Sequence, residues 1–116
     1  MKRIDAIIRP EKLEAVREAF DAASDELGSP GITVSEVKGH GAQRGITEQW
    51  RGREYKVQYL SKVWILMVVT DDVLDRAVDI ILDNAHTGEI GDGKIFISTV
   101  DEIIRVRTRE RGEMAV

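Results

Sequence analysis

Two hydrophobic periods alternate along the chain. Ile4, Ala6 and Ile8 alternate with Arg3, Asp5 and Ile7 and predict a short strand. From Pro10 the apolar positions recur at three- and four-residue steps, Leu13, Val16, Phe20, Ala23 and Leu27, the stripe of an amphipathic helix. Pro10 suits a first helical position, where its missing N–H costs nothing, and Glu11 and Glu14 favour the positive end of the helix dipole. Gly28-Ser29-Pro30-Gly31 stops that helix, and the β-branched run Ile32 to Val37 predicts a second strand. Between Gly39 and Arg53 the chain is polar, glycine-rich and without a period. Connections longer than about 12 residues inside a compact domain are usually functional or disordered. A third strand is expected from about Tyr55 to Val69, with a dense apolar end from Val63. Thr70 and Asp71 are placed to cap a second helix, whose buried face would be Val73, Leu74, Ala77, Val78 and Ile81. Ile95 to Val100 predicts a fourth strand, and a turn and a basic extended tail close the chain.

The order is β-α-β-β-α-β, an α+β class with the ferredoxin-like arrangement: four antiparallel strands with both helices on one face. The third strand is apolar on both sides from Trp64 to Val68, so the other face of the sheet is expected to be buried against further subunits. The 116 residues fit one domain, spanning 1–116.

Composition narrows the class. With 42% hydrophobic and 33% charged residues the chain can build a core and a solvated surface. A net charge of −4 weighs against a general binder of nucleic acid or membranes. There is no cysteine, hence no disulfide, thiol nucleophile or thiolate metal site. No apolar run approaches the roughly 20 residues that span a bilayer. Charges at Lys2, Arg3, Asp5 and Arg9 interrupt any signal-peptide core, so a cytoplasmic location is expected.

The chemistry concentrates in Thr87-Gly88-Glu89-Ile90-Gly91-Asp92-Gly93-Lys94. Glycines let several backbone amides turn toward one point, and such a nest binds anions. Lys94 adds a full charge at its edge. Arg105 and Arg107 follow, and in an extended segment alternation sets both on one side, where two guanidinium forks suit a polyphosphate. The spacing is not that of a Walker A loop. The same glycines also fit a helix end followed by a plain turn. His40 and His86 are too far apart in sequence for a convincing zinc site, and no nucleophile–base pair is visible. A slow nucleotide hydrolase and a ferredoxin-like RNA-binding module are the rival classes; the few aromatics show no RNA-stacking pattern.

Over essentially its whole length the chain resembles the PII nitrogen-regulatory signalling proteins. The resemblance lies in the opening Met1 to Pro10, in Thr33 to Gly39, in Trp50-Arg51-Gly52-Arg53-Glu54-Tyr55, in the glycine loop and in Ile104-Arg105-Val106-Arg107-Thr108. It implies a compact homotrimer with ATP or ADP in clefts between subunits. Gly91, Asp92 and Gly93 would hold phosphates through their amides, with Lys94 adding charge and Arg105 and Arg107 reaching in from the adjoining subunit (basic segment 104–108). Ile7, Thr33 and Gly39 would line the adenine and ribose pocket.

The polar segment, about 40–55, then resembles the family's T-loop. The resemblance implies 2-oxoglutarate bound together with Mg-ATP at its base. Gln43 would complete the magnesium shell, Lys62 would pair with the keto acid's distal carboxylate, and backbone amides of Gly41, Gln43, Arg44 and Gly45 would hold its other oxygens. Tyr55 falls where some members are uridylylated, and Arg51 where members plug an ammonium channel. The implied partners are an ammonium transporter or a nitrogen-metabolism enzyme or regulator, with no nucleic acid and no membrane contact except through a transporter. The chain departs from the family pattern at His40, Ala42, Trp50 and Leu66, and Arg53 occupies the place of a serine phosphorylated in one branch. Leu66 stands where a glutamate commonly pairs with the glycine-loop lysine. These departures keep open an adenine-nucleotide sensor with another effector.

Overall fold

The first alternating run forms β1 (Lys2–Ile8), which buries Ile4, Ala6 and Ile8 and turns the intervening side chains away. We describe residues 1–40 and 59–116 of the computed structural model, together with the backbone of 47–50 and 53–56. A single 3-10 turn at Pro10–Lys12 leads into α1 (Leu13–Ala22). The stripe then breaks at Ala23, resumes as α2 (Ser24–Leu27), and ends at Gly28, whose φ of 73° is the left-handed conformation that glycine adopts cheaply. The strands β2 (Thr33–Gly39) and β5 (Leu60–Val69), the helix α3 (Leu74–Ala85) and the strand β6 (Gly93–Thr99) complete the main body.

The four strands form one antiparallel sheet in the order β2-β5-β1-β6. This is the expected ferredoxin-like arrangement. One sheet face carries the core: Ile4, Ala6, Ile8, Val63, Ile65, Met67 and Val69 pack against Val16, Phe20, Ala77, Ile80 and Ile81 of the helices. Each Val, Ile, Phe or Met side chain among them, once fully buried, is worth about 1.5–3 kcal/mol.

The opposite face carries no helix. Arg3, Asp5, Ile7, Trp64, Leu66, Val68 and Phe96 fall on it by strand alternation. Trp64 Nε1 donates to Asp5 Oδ1 at 2.8 Å, and the Arg3 guanidinium donates to both Asp5 oxygens at 2.9 and 3.0 Å. The Arg3 contact, helped by Trp64, holds the Asp5 carboxyl below its ordinary range against the cost of desolvation. Phe96 is 55% exposed.

Several expectations need correction. The third strand begins at Leu60, not near Tyr55, because Arg53–Lys56 is a separate strand, β4, paired with β3 (Thr47–Trp50). The aperiodic polar segment therefore contains a two-stranded antiparallel sheet. The fourth strand starts at Gly93, two residues early, so Gly93 and Lys94 belong to the sheet and pair with Ile8 and Ile7. Neither Thr70 nor Asp71 caps a helix through its side chain; the Asp71 carboxylate accepts from the Met1 ammonium at 2.8 Å instead. The tail is not extended: it turns at Val106–Thr108, with Ile104 bridged to Arg111 and the Arg105 amide donating to the Glu110 carbonyl at 2.9 Å.

Candidate functional site

The sheet register brings together one end of β1, β5 and β6. Ile7 lies between Trp64 on β5 and Lys94 on β6, and all three point to the helix-free face. Two residues further along β5 comes Lys62, paired with Val37, and Gly39 pairs with Leu60 beside it. A Cβ on Gly39 would stand 3.3 Å from Lys62 Cγ, so this glycine gives the lysine side chain room to pass. A cleft of about 380 Å³ opens here, lined by Pro10, Glu36, Val37, Lys38, Ser61, Lys62 and Val63. Thr33 pairs with Leu66, further from this end.

The glycine loop joins α3 to β6 and is organised by one carboxylate. Asp92 accepts from the amides of Thr87 and Gly88 at 2.8 and 2.9 Å, from the Thr87 hydroxyl, and from Arg9 Nε at 3.0 Å. The Thr87 contacts lead the set that drives its pKa well below the carboxylate range. Arg9 Nη2 also donates to the Ile90 carbonyl at 2.9 Å, and Lys62 Nζ donates to the Gly91 carbonyl. Two cations thus bind oxygens of the loop. The Glu89 amide is taken by the Thr87 hydroxyl at 3.1 Å. Among the described residues, no hydrogen bond takes the amides of Ile90 or Gly91.

These contacts fit anionic ligands. Burial, and next the positive charge of Arg9, lower the pKa of Lys62 against the opposing charges of Glu11 and Asp92, and a bound carboxylate would favour its charged form. Lys94 is exposed and makes no ion pair among the described residues. No group of three His, Asp or Glu among the described residues could hold a metal.

The structure brings Ile7, Gly39, Lys62, Lys94 and Gly91–Gly93 to one end of the sheet. It does not bring Arg105 and Arg107 there. The chain leaves β6 at Thr99, opposite Lys2, whereas Gly93 lies opposite Ile8. Seven strand residues separate those ends by roughly 20 Å. The turn also removes the alternation expected of the two arginines. Arg105 Nη1 donates to Glu110 at 3.1 Å and Nη2 to the Met114 carbonyl at 3.2 Å, while Arg107 is exposed in the turn. Gly41, Gln43, Arg44, Gly45 and Arg51 lie outside the described residues, as does the side chain of Tyr55.

Arg9 and Thr87 received no role from the sequence. A signal was present: a carboxylate amid the glycines of an anion loop, as Asp92 is, needs cationic or amide partners of its own.

Among the described residues, no helix is long and apolar enough to cross a membrane. The sequence model of the family described as "Nitrogen regulatory protein P-II" matches residues 1–110. The chain is 55% identical to Nitrogen regulatory protein P-II 2 of Methanothermobacter thermautotrophicus, covering all of this chain and 97% of that one. It is 54% identical to Nitrogen regulatory protein P-II of Klebsiella oxytoca and 53% identical to Nitrogen regulatory protein P-II 1 of Escherichia coli K12, with both chains of each pair fully covered. The ferredoxin-like sheet, the glycine loop and full-length identity above one half lead to one assignment: the chain belongs to the nitrogen regulatory protein P-II family.

Proposed function

We propose that this regulator binds ATP or ADP in the clefts of a homotrimer and senses 2-oxoglutarate together with Mg-ATP. Its ligand state would set the shape of the segment about 40–55, which binds or releases a partner: an ammonium transporter, or an enzyme or regulator of nitrogen metabolism. The observation that carries the reading is the meeting of Lys62 with the glycine loop at the Gly91 carbonyl, at the sheet end where Lys94 lies on β6, one strand beyond β1. One lysine then stands between a phosphate site and a carboxylate site.

Within that reading, the amides near Ile90 to Gly93 and the Lys94 ammonium take the phosphates. Arg105 and Arg107 of an adjoining subunit supply the charge that one chain delivers to the wrong end of its own sheet. Ile7, Thr33 and Gly39 border the base and sugar. Lys62 pairs with the distal carboxylate, Gly41, Gln43, Arg44 and Gly45 take the other keto-acid oxygens, and the Gln43 side chain adds an oxygen to magnesium. Arg51 contacts the partner and Tyr55 is the modification site. A hard cation supplies charge neutralisation between the phosphates and the keto acid. The switch works only if the effector binds one loop state better than another.

Calorimetry with ATP, magnesium and 2-oxoglutarate, singly and combined, tests the reading. The keto acid should bind only alongside Mg-ATP, and Gln43→Ala should abolish that binding. ATP binding with no keto-acid effect would leave an adenine-nucleotide sensor with another effector. Sustained phosphate release lost in Lys94→Ala would make it a slow ATPase.

A further inference from the structure

We propose that Arg9 is a positioning residue for the phosphate loop, acting through Asp92 and the Ile90 carbonyl; this rests on the nucleotide reading above. Arg9 follows β1, and Asp92 lies 83 residues later, immediately before β6. The two strands are neighbours in register, so the pair staples the loop to the sheet where Ile8 meets Gly93.

The geometry is that of a fork with two tines in use. Nε reaches the carboxylate at 3.0 Å and Nη2 the carbonyl at 2.9 Å. The remaining oxygen of Asp92 draws in the amides of Thr87 and Gly88. The pair thereby fixes both ends of the loop: its start at Thr87–Gly88 and its finish at Ile90–Asp92. Its consequence is electrostatic as well as geometric. A carboxylate and a carbonyl that would repel a phosphate are turned toward Arg9, and the amides of Ile90 and Gly91 are left without a hydrogen-bond partner among the described residues. Both partners are about four-fifths covered, with side-chain exposures of 21% for Arg9 and 22% for Asp92, so the contact is shielded from water more than a surface ion pair. Arg9 need not touch a nucleotide to control its phosphates.

Lysine cannot replace this fork, because a single ammonium cannot keep two planar donors on two acceptors. Arg9→Lys therefore separates charge from geometry. The test is the affinity of Arg9→Lys, Arg9→Gln, Asp92→Asn and the Arg9→Gln/Asp92→Asn double variant for ATP, ADP and adenosine, with melting temperatures recorded in parallel. The expected result is a loss of roughly tenfold or more for ATP and ADP in every variant, unchanged adenosine affinity, and a double variant no worse than the weaker single one. A loss shared equally by adenosine would mark general unfolding and overturn the inference. So would wild-type ATP affinity in folded Asp92→Asn or Arg9→Lys. Failure of the wild-type chain to bind any adenine nucleotide would sink the nucleotide reading itself, and this inference with it; normal wild-type binding with unaffected variants would sink this inference alone.

Discussion

A Cβ built on Gly93 would stand 1.7 Å from the carbonyl oxygen of Ile7. The backbones of β1 and β6 meet there with no space for a side chain, and Gly93 has φ +98°, which L-residues rarely adopt. This contact sets the loop's last residue against the strand that carries Ile7.

Gly93→Ala is therefore expected to destabilise the fold by about 3 kcal/mol or more, since backbone strain and a backbone clash add. Denaturant unfolding of the variant beside the wild type measures it. Gly31→Ala is the control, because a Cβ there meets nothing within 4 Å and φ is not in the left-handed region; it should shift stability by less than about 0.5 kcal/mol.

Lys62 carries a second prediction. Its pKa lies below the ordinary 10.5 through burial and the nearby Arg9 charge. A bound carboxylate favours the charged form and raises that value again. Keto-acid binding should accordingly be accompanied by proton uptake in the alkaline window below 10.5, where the lysine of the unliganded protein gives up its proton. Calorimetry in buffers of different ionisation enthalpy reads this directly, and Lys62→Met should abolish both the uptake and the keto-acid binding.

Asp92 sets the behaviour in acid. Its folded pKa lies far below the ordinary 3.8, chiefly through Thr87, so its contribution to stability is complete above the unfolded value. That contribution is lost as the pH falls through the folded value. The melting-temperature gap between wild type and Asp92→Asn should be constant above about pH 5 and narrow only in strong acid. A gap that closes already near pH 6 would mean that the carboxylate is not held as described.

The helix-free face predicts assembly. Phe96→Glu places a charge beside Asp5, its register partner on β1, on a surface already carrying a carboxylate. Sedimentation of the wild type should give three times the 13.0 kDa chain mass, and Phe96→Glu should shift the population to monomer. A wild-type monomer at micromolar concentration would contradict the trimer.

Burial periodicity was legible in the sequence wherever one face meets the core. Ile4, Ala6 and Ile8 read as a strand and Val16 and Phe20 as a helix because the core removes those positions from water. The β3–β4 pair stayed hidden because the sequences Thr47–Trp50 and Arg53–Lys56 carry no apolar–polar alternation to betray it. The turn of the tail stayed hidden because its closure depends on the Arg105–Glu110 pair and on Arg109 at φ 65°, a residue type that does not announce a left-handed bend. At the site, glycines and cations marked the loop, but the Arg9–Asp92 contact joins residues 83 apart, and only the register of β1 with β6 makes them neighbours.

The place of β6 at the margin of the sheet has a cost. Its outer row of amides and carbonyls has no partner strand among the described residues, and Ile95-Phe96-Ile97-Ser98-Thr99-Val100 contains no charge, glycine or proline. Such a hexapeptide at an open edge is a template for cross-β growth. A chain with this edge uncovered would thus be prone to fibril-like association, and covering the edge would protect its solubility.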